Sequence, residues 1–508
     1  MEPLQPGTGA SQPPQPAWAW PTPIPAAPAR PRRSHKPYLA VRAGADRRLV
    51  AGAVAGGVFF DIAAHGGLAT IAGTAWVGVA AAAILLGGRI RGLASRLAIG
   101  AAPVLGLILT FRSNPWVLAP VTFAVALLLF LGVSLGADGS GLSTTFPALN
   151  ARIAIALGHL AFAPGMFRSQ GEPAPGGVAR RRAVAVGRGA LLGVPVMIIV
   201  GLLLALADPI FRSWFDLTAV VQHLVLASIG AWAVVGLFRA ASAAEPSPSL
   251  PSAPSLGTVE AAFVLGGLCA LYAAFVGAQF VALSGAGHHI LVTQGLTYAQ
   301  YARSGFFQLL ACAAITLLVL LGVRACANPA HPVLIGLSGL TVVLTIGVVV
   351  VAIRRLQLYE AEFGLTMLRL ACLVAAAWIG IVFVLLGSTV PRRGLSRRYF
   401  PTAVIISGLI FVGIWSISNP ASIVARTNLR RAEHGQSFDV SQAASLGPDA
   451  VPTLLADLRY LDASQAIELR HAICARSAGK AAGPAFNMTR FRANGALARA
   501  CASPGRSG

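Results

Sequence analysis

About eleven segments of the chain are apolar enough, and long enough, to cross a bilayer core of roughly 30 Å. They fall near 49–65, 68–87, 93–111, 116–136, 188–207, 217–239, 259–284, 304–323, 332–353, 369–388 and 402–418. Lipid offers no partner to an exposed N–H or C=O, so segments of this kind are restricted to helices that satisfy their own backbone. The expected fold is therefore all-α, a polytopic transmembrane helical bundle. Composition agrees: the 508 residues are 56% hydrophobic and only 11% charged, with a mean hydropathy of +0.72. A soluble chain of this length needs far more charge to cover its surface.

A net charge of +22 would suit a nucleic-acid partner. The basic residues, however, are scattered between apolar runs and form no basic helix or aromatic-basic stripe, so no nucleic-acid partner is expected. They report orientation instead, because cytoplasmic loops carry the excess of Lys and Arg. With the N-terminus inside, fifteen loop arginines (Arg89, Arg91, Arg96, Arg152, Arg168, Arg180, Arg181, Arg182, Arg188, Arg239, Arg324, Arg392, Arg393, Arg397 and Arg398) are cytoplasmic. Six (Arg112, Arg212, Arg303, Arg354, Arg355 and Arg369) face the other side. The expected topology is N-in, C-out. A twelfth apolar run at 146–167 contains Asn150, Arg152 and His159 and is read as a helix lying on the membrane surface.

Three regions follow. Residues 1–48 form a Pro-rich basic cytoplasmic tail of disordered composition, with ten prolines in the first 34 positions and no signal-peptide core. Residues 49–418 form the transmembrane domain, with a cytoplasmic linker at 240–257 rich in Pro and Ser. Residues 419–508 form a small, mostly helical extracytoplasmic region. In it, Asp449 is expected to cap a helix bearing Val451, Leu454, Leu455 and Leu458, and Asp462 with Gln465 starts a second. Cys474 and Cys501 can pair if this region lies outside the cytoplasm. Cys269, Cys312, Cys326 and Cys372 sit in or beside apolar segments as small structural residues.

Ionisable groups at membrane level are costly, so each needs a reason. Asp208 ends a span directly before Pro209, where it either faces a cavity or closes the span at the interface. Glu260 lies in the first turn of its helix, where the dipole favours it, and Gln279 suits an interhelical hydrogen bond. The densest polar stretch is "RRLQLYEAEFGLTMLRL" (354–370), with Gly364 as the expected break. In "QGLTYAQYARSGFFQLL" (294–310), Thr297 and Gln300 make a capping box for a helix from Tyr298 to Val323, about 39 Å long. That length places Tyr301 and Arg303 at the membrane surface, as interfacial anchors or as parts of a site. Gly52 and Gly56 form a GxxxG suited to close helix packing. No P-loop, Ser/His/Asp grouping or zinc-protease motif is present, and neither a cofactor nor a metal is expected.

The stretches "ADPIF" (207–211), "VEAAFVLGGLCALYAAFVGAQ" (259–279), "TYAQYARSGFFQL" (297–309), "RLQLYEAEFGLTMLRL" (355–370), "NPASIVARTNLRRA" (419–432) and "LGPDAVPTLL" (446–455) resemble uncharacterised bacterial membrane proteins of the domain-of-unknown-function families 4153 and 4173. "FNMTRFRA" (486–493) is similar to that family's tail pattern, with Phe486 where tryptophan is expected. The resemblance implies a multi-pass protein of a bacterial inner (plasma) membrane and lends no catalytic residue. Combined with the charge count, it gathers Asp208, Arg212, Asp216, Tyr301, Arg303, Tyr359, Glu360, Glu362 and Arg369 on the outer face, under the C-terminal helices. The expected function is binding or signalling there, toward an envelope protein or a lipid-linked ligand. A transporter or ion-coupled carrier, and an intramembrane transferase acting on a lipid-linked substrate, are the alternatives. The lipid bilayer is the remaining partner.

Overall fold

A computed structural model describes residues 47–87, 90, 92–136, 146–163, 217–242, 256–283, 306–327, 331–390, 395–476 and 482–501. The expected span at 188–207, the capping box at Thr297 and the site residues Asp208, Arg212, Asp216, Tyr301 and Arg303 lie outside them. No strand occurs among the described residues, and the chain is an all-α helical bundle.

The helices of the bundle are α1 (Arg47–Gly66), α2 (Ile71–Gly87), α3 (Leu93–Gly106), the short α4 (Ile108–Phe111), α5 (Pro115–Gly136), α6 (Phe146–Ala161), α7 (Leu217–Ala241), α8 (Thr258–Leu283), α9 (Phe306–Cys326), α10 (Pro332–Phe363), α11 (Met367–Thr389) and α12 (Leu395–Ser418). Among the described residues, nine helical segments are long and apolar enough to cross a membrane. Large apolar side chains cover their outward faces: Phe263 is 83% exposed and Phe123 70%. A helix that is apolar all round needs an apolar surrounding, and lipid supplies it. The chain is a membrane protein.

The helices pack as two groups. In the first, α1, α2, α3, α5, α6 and α7 enclose Ile84, Ile99, Val121, Val125 and Val234. In the second, α8 to α12 enclose Leu265, Leu320, Val342, Phe383 and Leu386. Helices α5 and α12 pack together and join the two groups. Gly52 and Gly56 of α1 lie against Val234 and Gly230 of α7, and a Cβ at Gly57 would stand 2.6 Å from the Ala227 carbonyl. Within the apolar run at 146–167 the chain forms a helix, α6, which packs on α7. Its Leu160 carbonyl accepts from Trp232 Nε1 (2.7 Å), and Arg152 and His159 are buried.

After α12 the chain forms α13 (Pro420–Glu433), α14 (Val440–Ser445), α15 (Val451–Ala456), a 3₁₀ turn at Leu458–Tyr460, α16 (Ala463–Cys474), a second 3₁₀ turn at Gly483–Ala485 and α17 (Met488–Cys501). Asp462 caps α16 as expected, its carboxylate accepting the Gln465 N–H at 2.8 Å. Asp449 does not cap α15, whose N-cap is Ala450; its side chain is used elsewhere. Leu458 falls in the 3₁₀ turn, so the first helix is shorter than its apolar pattern suggested. A disulfide joins Cys474 to Cys501, tying the end of α16 to the end of α17.

Candidate functional site

One end of the bundle carries the polar chemistry, and the C-terminal helices are fastened to it. The connector between α4 and α5 is the deepest attachment. Asp449 accepts from both the backbone N–H (3.0 Å) and the hydroxyl (2.6 Å) of Ser113, with Arg112 Nη1 3.9 Å away. The Asp449 side chain is 1% exposed, so these contacts supply nearly all of its solvation. Arg112 also donates to the Ser416 and Ile417 carbonyls at the end of α12, both at 2.8 Å. Burial pushes the Arg112 guanidinium below its ordinary value; Asp449 pulls it back up, and Arg492 adds to the depression. Asn419, with φ 51°, begins α13 and sends its amide to the Asp449 carbonyl at 3.0 Å.

The connector between α1 and α2 is held by the start of α17. Asn487, fully buried, donates through one amide nitrogen to the carbonyls of Ala69 (3.1 Å), Leu109 (3.1 Å) and Arg112 (2.9 Å). The Phe486 carbonyl accepts from Ile71 N, and Arg490 Nη1 donates to the Gly66 carbonyl at 3.2 Å.

The third attachment is at the connector expected from sequence to carry the site. At 32 residues α10 is about 48 Å long, so one end projects beyond a 30 Å core. Gly364 breaks the helix at φ 75°, a value glycine adopts without strain, and its position beside Asn428 Oδ1 leaves little room for a Cβ. Across the break, Arg369 lies over the Tyr359 ring at 4.2 Å and donates to the Phe363 carbonyl at 3.2 Å. It also acts electrostatically on Glu360, whose Oε1 is buried with no hydrogen-bond donor among the described residues. Thr366 caps α11 through the Arg369 N–H, so it does not continue the helix carrying Glu362. From the C-terminal side, Arg431 closes the end of α10, donating to the carbonyls of Ala361 (2.6 Å), Glu362 (3.1 Å) and Glu360 (3.2 Å). Asn428 pairs reciprocally with the backbone of Leu365, and Gln442 donates to the same carbonyl. Deeper, Arg355 reaches Gln279 Oε1 at 3.4 Å, the interhelical partner expected for that glutamine.

Tyr359, Glu360, Glu362 and Arg369 are thus gathered at one connector beneath α13. A second polar cluster was not expected. Asp61 of α1 sits between His65, one turn along the same helix, and His223 of α7. Its Oδ2 is 2.7 Å from His223 Nδ1 and its Oδ1 3.3 Å from His65 Nδ1, and the two imidazoles stack at 4.0 Å. The spacing of Asp61 and His65 is visible in the sequence as an i,i+4 pair on one face. His223 lies 162 positions away, and only the packing of α1 on α7 reveals it.

Residues 99–456 match the family described as Domain of unknown function (DUF4153). The chain belongs to this family. Neither a curated protein nor a solved structure matches it. The DUF4153 match contains the connector around Gly364, helix α13 and the Asp449 loop, and it ends before Asn487. His223 lies inside it; Asp61 and His65 precede it.

Proposed function

We propose that this DUF4153 protein is a ligand- or partner-binding membrane protein that signals rather than catalyses, with its recognition face on the extracytoplasmic side. The observation that carries this is the fastening of the C-terminal helices to three connectors and to the end of α12, all at one end of the bundle. A cap held at so many separate points is a rigid platform, and rigidity lowers the entropic cost of recognition. Beneath it, Tyr359, Glu360, Glu362 and Arg369 supply an aromatic face, carboxylates and a guanidinium. The cytoplasmic linker at 240–257, by contrast, has the composition of a flexible spacer. A bacterial plasma membrane places an envelope protein or a lipid-linked molecule within reach of this face.

The test is photo-crosslinking in cells from a reactive side chain placed at exposed Arg430 or Ser437. A discrete adduct with one envelope protein or lipid-linked molecule is expected. Absence of any adduct, together with solute flux in proteoliposomes that Asp208→Asn abolishes, would replace binding with transport. Turnover of a lipid-linked substrate lost in Glu360→Gln would replace it with transfer chemistry.

A further inference from the structure

We propose that Asp61, His65 and His223 form a binding site for a divalent transition metal of the Zn²⁺ class, bridging α1 and α7. This goes beyond the recognition role of the C-terminal face and does not depend on it.

The donor set comes first. Two imidazoles and one carboxylate are borderline-hard ligands suited to Zn²⁺ and its neighbours, and three protein ligands leave a coordination position for water or a ligand. The three donor atoms lie within 4.8 Å of one another, with Asp61 oxygens 2.7 Å and 3.3 Å from the two imidazole nitrogens. A tetrahedral Zn²⁺ with bonds of about 2.0 to 2.1 Å needs its ligand atoms about 3.3 Å apart, so the cluster needs only small side-chain adjustments.

The backbone is already in place. Helices α1 and α7 run antiparallel in close contact: Gly57 faces Ala227, and Gly230 faces Gly56 and Phe60 at distances no larger residue would allow. One turn onward from Gly57 is Asp61, and one turn back from Ala227 is His223. The glycine packing therefore fixes the register that brings the carboxylate to the histidine. His65 follows one more turn along α1; its Nδ1 lies 2.9 Å from the Asp61 backbone carbonyl, a contact that nitrogen gives up when it binds the ion.

Access and charge point the same way. Asp61 is about 7 to 8 Å along the axis from the end of α1, near the water interface. The side chains are 16% (Asp61), 33% (His65) and 52% (His223) exposed, giving an ion an entry path. The two imidazoles stack at 4.0 Å beside a single carboxylate. One divalent ion satisfies both rings and the carboxylate at once.

The test uses the untagged full-length protein in detergent, stripped with chelator and dialysed against Zn²⁺ alone. About one tightly held Zn²⁺ per chain is expected, with affinity falling on the order of ten-fold or more in His65→Gln, His223→Gln and Asp61→Asn. A chain altered at both His288 and His289, an adjacent histidine pair elsewhere in the sequence, should bind as the wild type does. Zinc that follows those two histidines instead, or wild-type binding no greater than that of the triple variant, would overturn the proposal. Because a variant can misfold, Co²⁺ added to the wild type gives a second readout. An intense low-symmetry ligand-field spectrum supports the site, and the weak spectrum of the hydrated ion overturns it.

Discussion

Replacing Asp449 with Ala should loosen the C-terminal helices from the bundle while leaving the bundle intact. Its carboxylate accepts two hydrogen bonds from Ser113 and faces Arg112, and its side chain is 1% exposed. Hydrogen bonds to a charged group contribute about 1.5 to 3 kcal/mol each, which would set the loss near 3 to 6 kcal/mol. Relaxation lowers this: the Ser113 hydroxyl can turn to water, and Arg112 keeps the Ser416 and Ile417 carbonyls. The expected cost to docking is about 3 kcal/mol, roughly a hundred-fold rise in the undocked population. Asn at the same position still accepts from Ser113 and should cost about half as much. Hydrogen exchange of the amides at 112–118 and 446–455, in nanodiscs, measures the difference directly. Exchange in the alanine variant within about 0.5 kcal/mol of wild type would show that Asp449 does not hold the junction.

Three further outcomes follow from other contacts. Gly57→Val drives a side chain into the Ala227 carbonyl and should cost about 2 to 3 kcal/mol, seen as a lower thermal midpoint in detergent. Asn487→Ala strands the carbonyls of Ala69 in the α1–α2 connector, Leu109 in α4 and Arg112 in the α4–α5 connector and should cost about 2 to 3 kcal/mol, read as faster exchange in α17. Asp462 is held below the usual carboxylate range, chiefly by the Gln465 N–H and then by the Ser464 hydroxyl. Its folded-state value is the lower one, so its support of α16 is present above the ordinary carboxylate range and lost as pH falls through the depressed value. Asp462→Asn should flatten the acid dependence of exchange in 463–474, and an unchanged pH profile would count against the cap.

How much of this was legible from sequence depends on distance along the chain. The helices, the break at Gly364 and the Asp462 cap are local events, and periodicity and residue type announced them. Gln279 announced an interhelical bond because a deep amide needs one, though Arg355 as its partner had to come from packing. The Asp449 cap failed for the opposite reason: Ser113, 336 positions away, offers two donors where the local helix offers one N–H. At the expected site, Tyr359, Glu360, Glu362 and Arg369 are neighbours because one glycine turns the chain. The Arg431 contacts that close α10 come from a helix about 70 positions later. The cluster of Asp61, His65 and His223 was half visible, since a lone i,i+4 pair carries little weight until a third ligand faces it.

The proposed recognition face requires the C-terminal helices to lie outside the cytoplasm, and one labelling experiment tests that directly. Ser437 is exposed in the turn after α13, away from every attachment described above. A membrane-impermeant maleimide should label Ser437→Cys in intact cells, above the wild-type background. Labelling only after the membrane is permeabilised would put those helices, and the face they cover, in the cytoplasm.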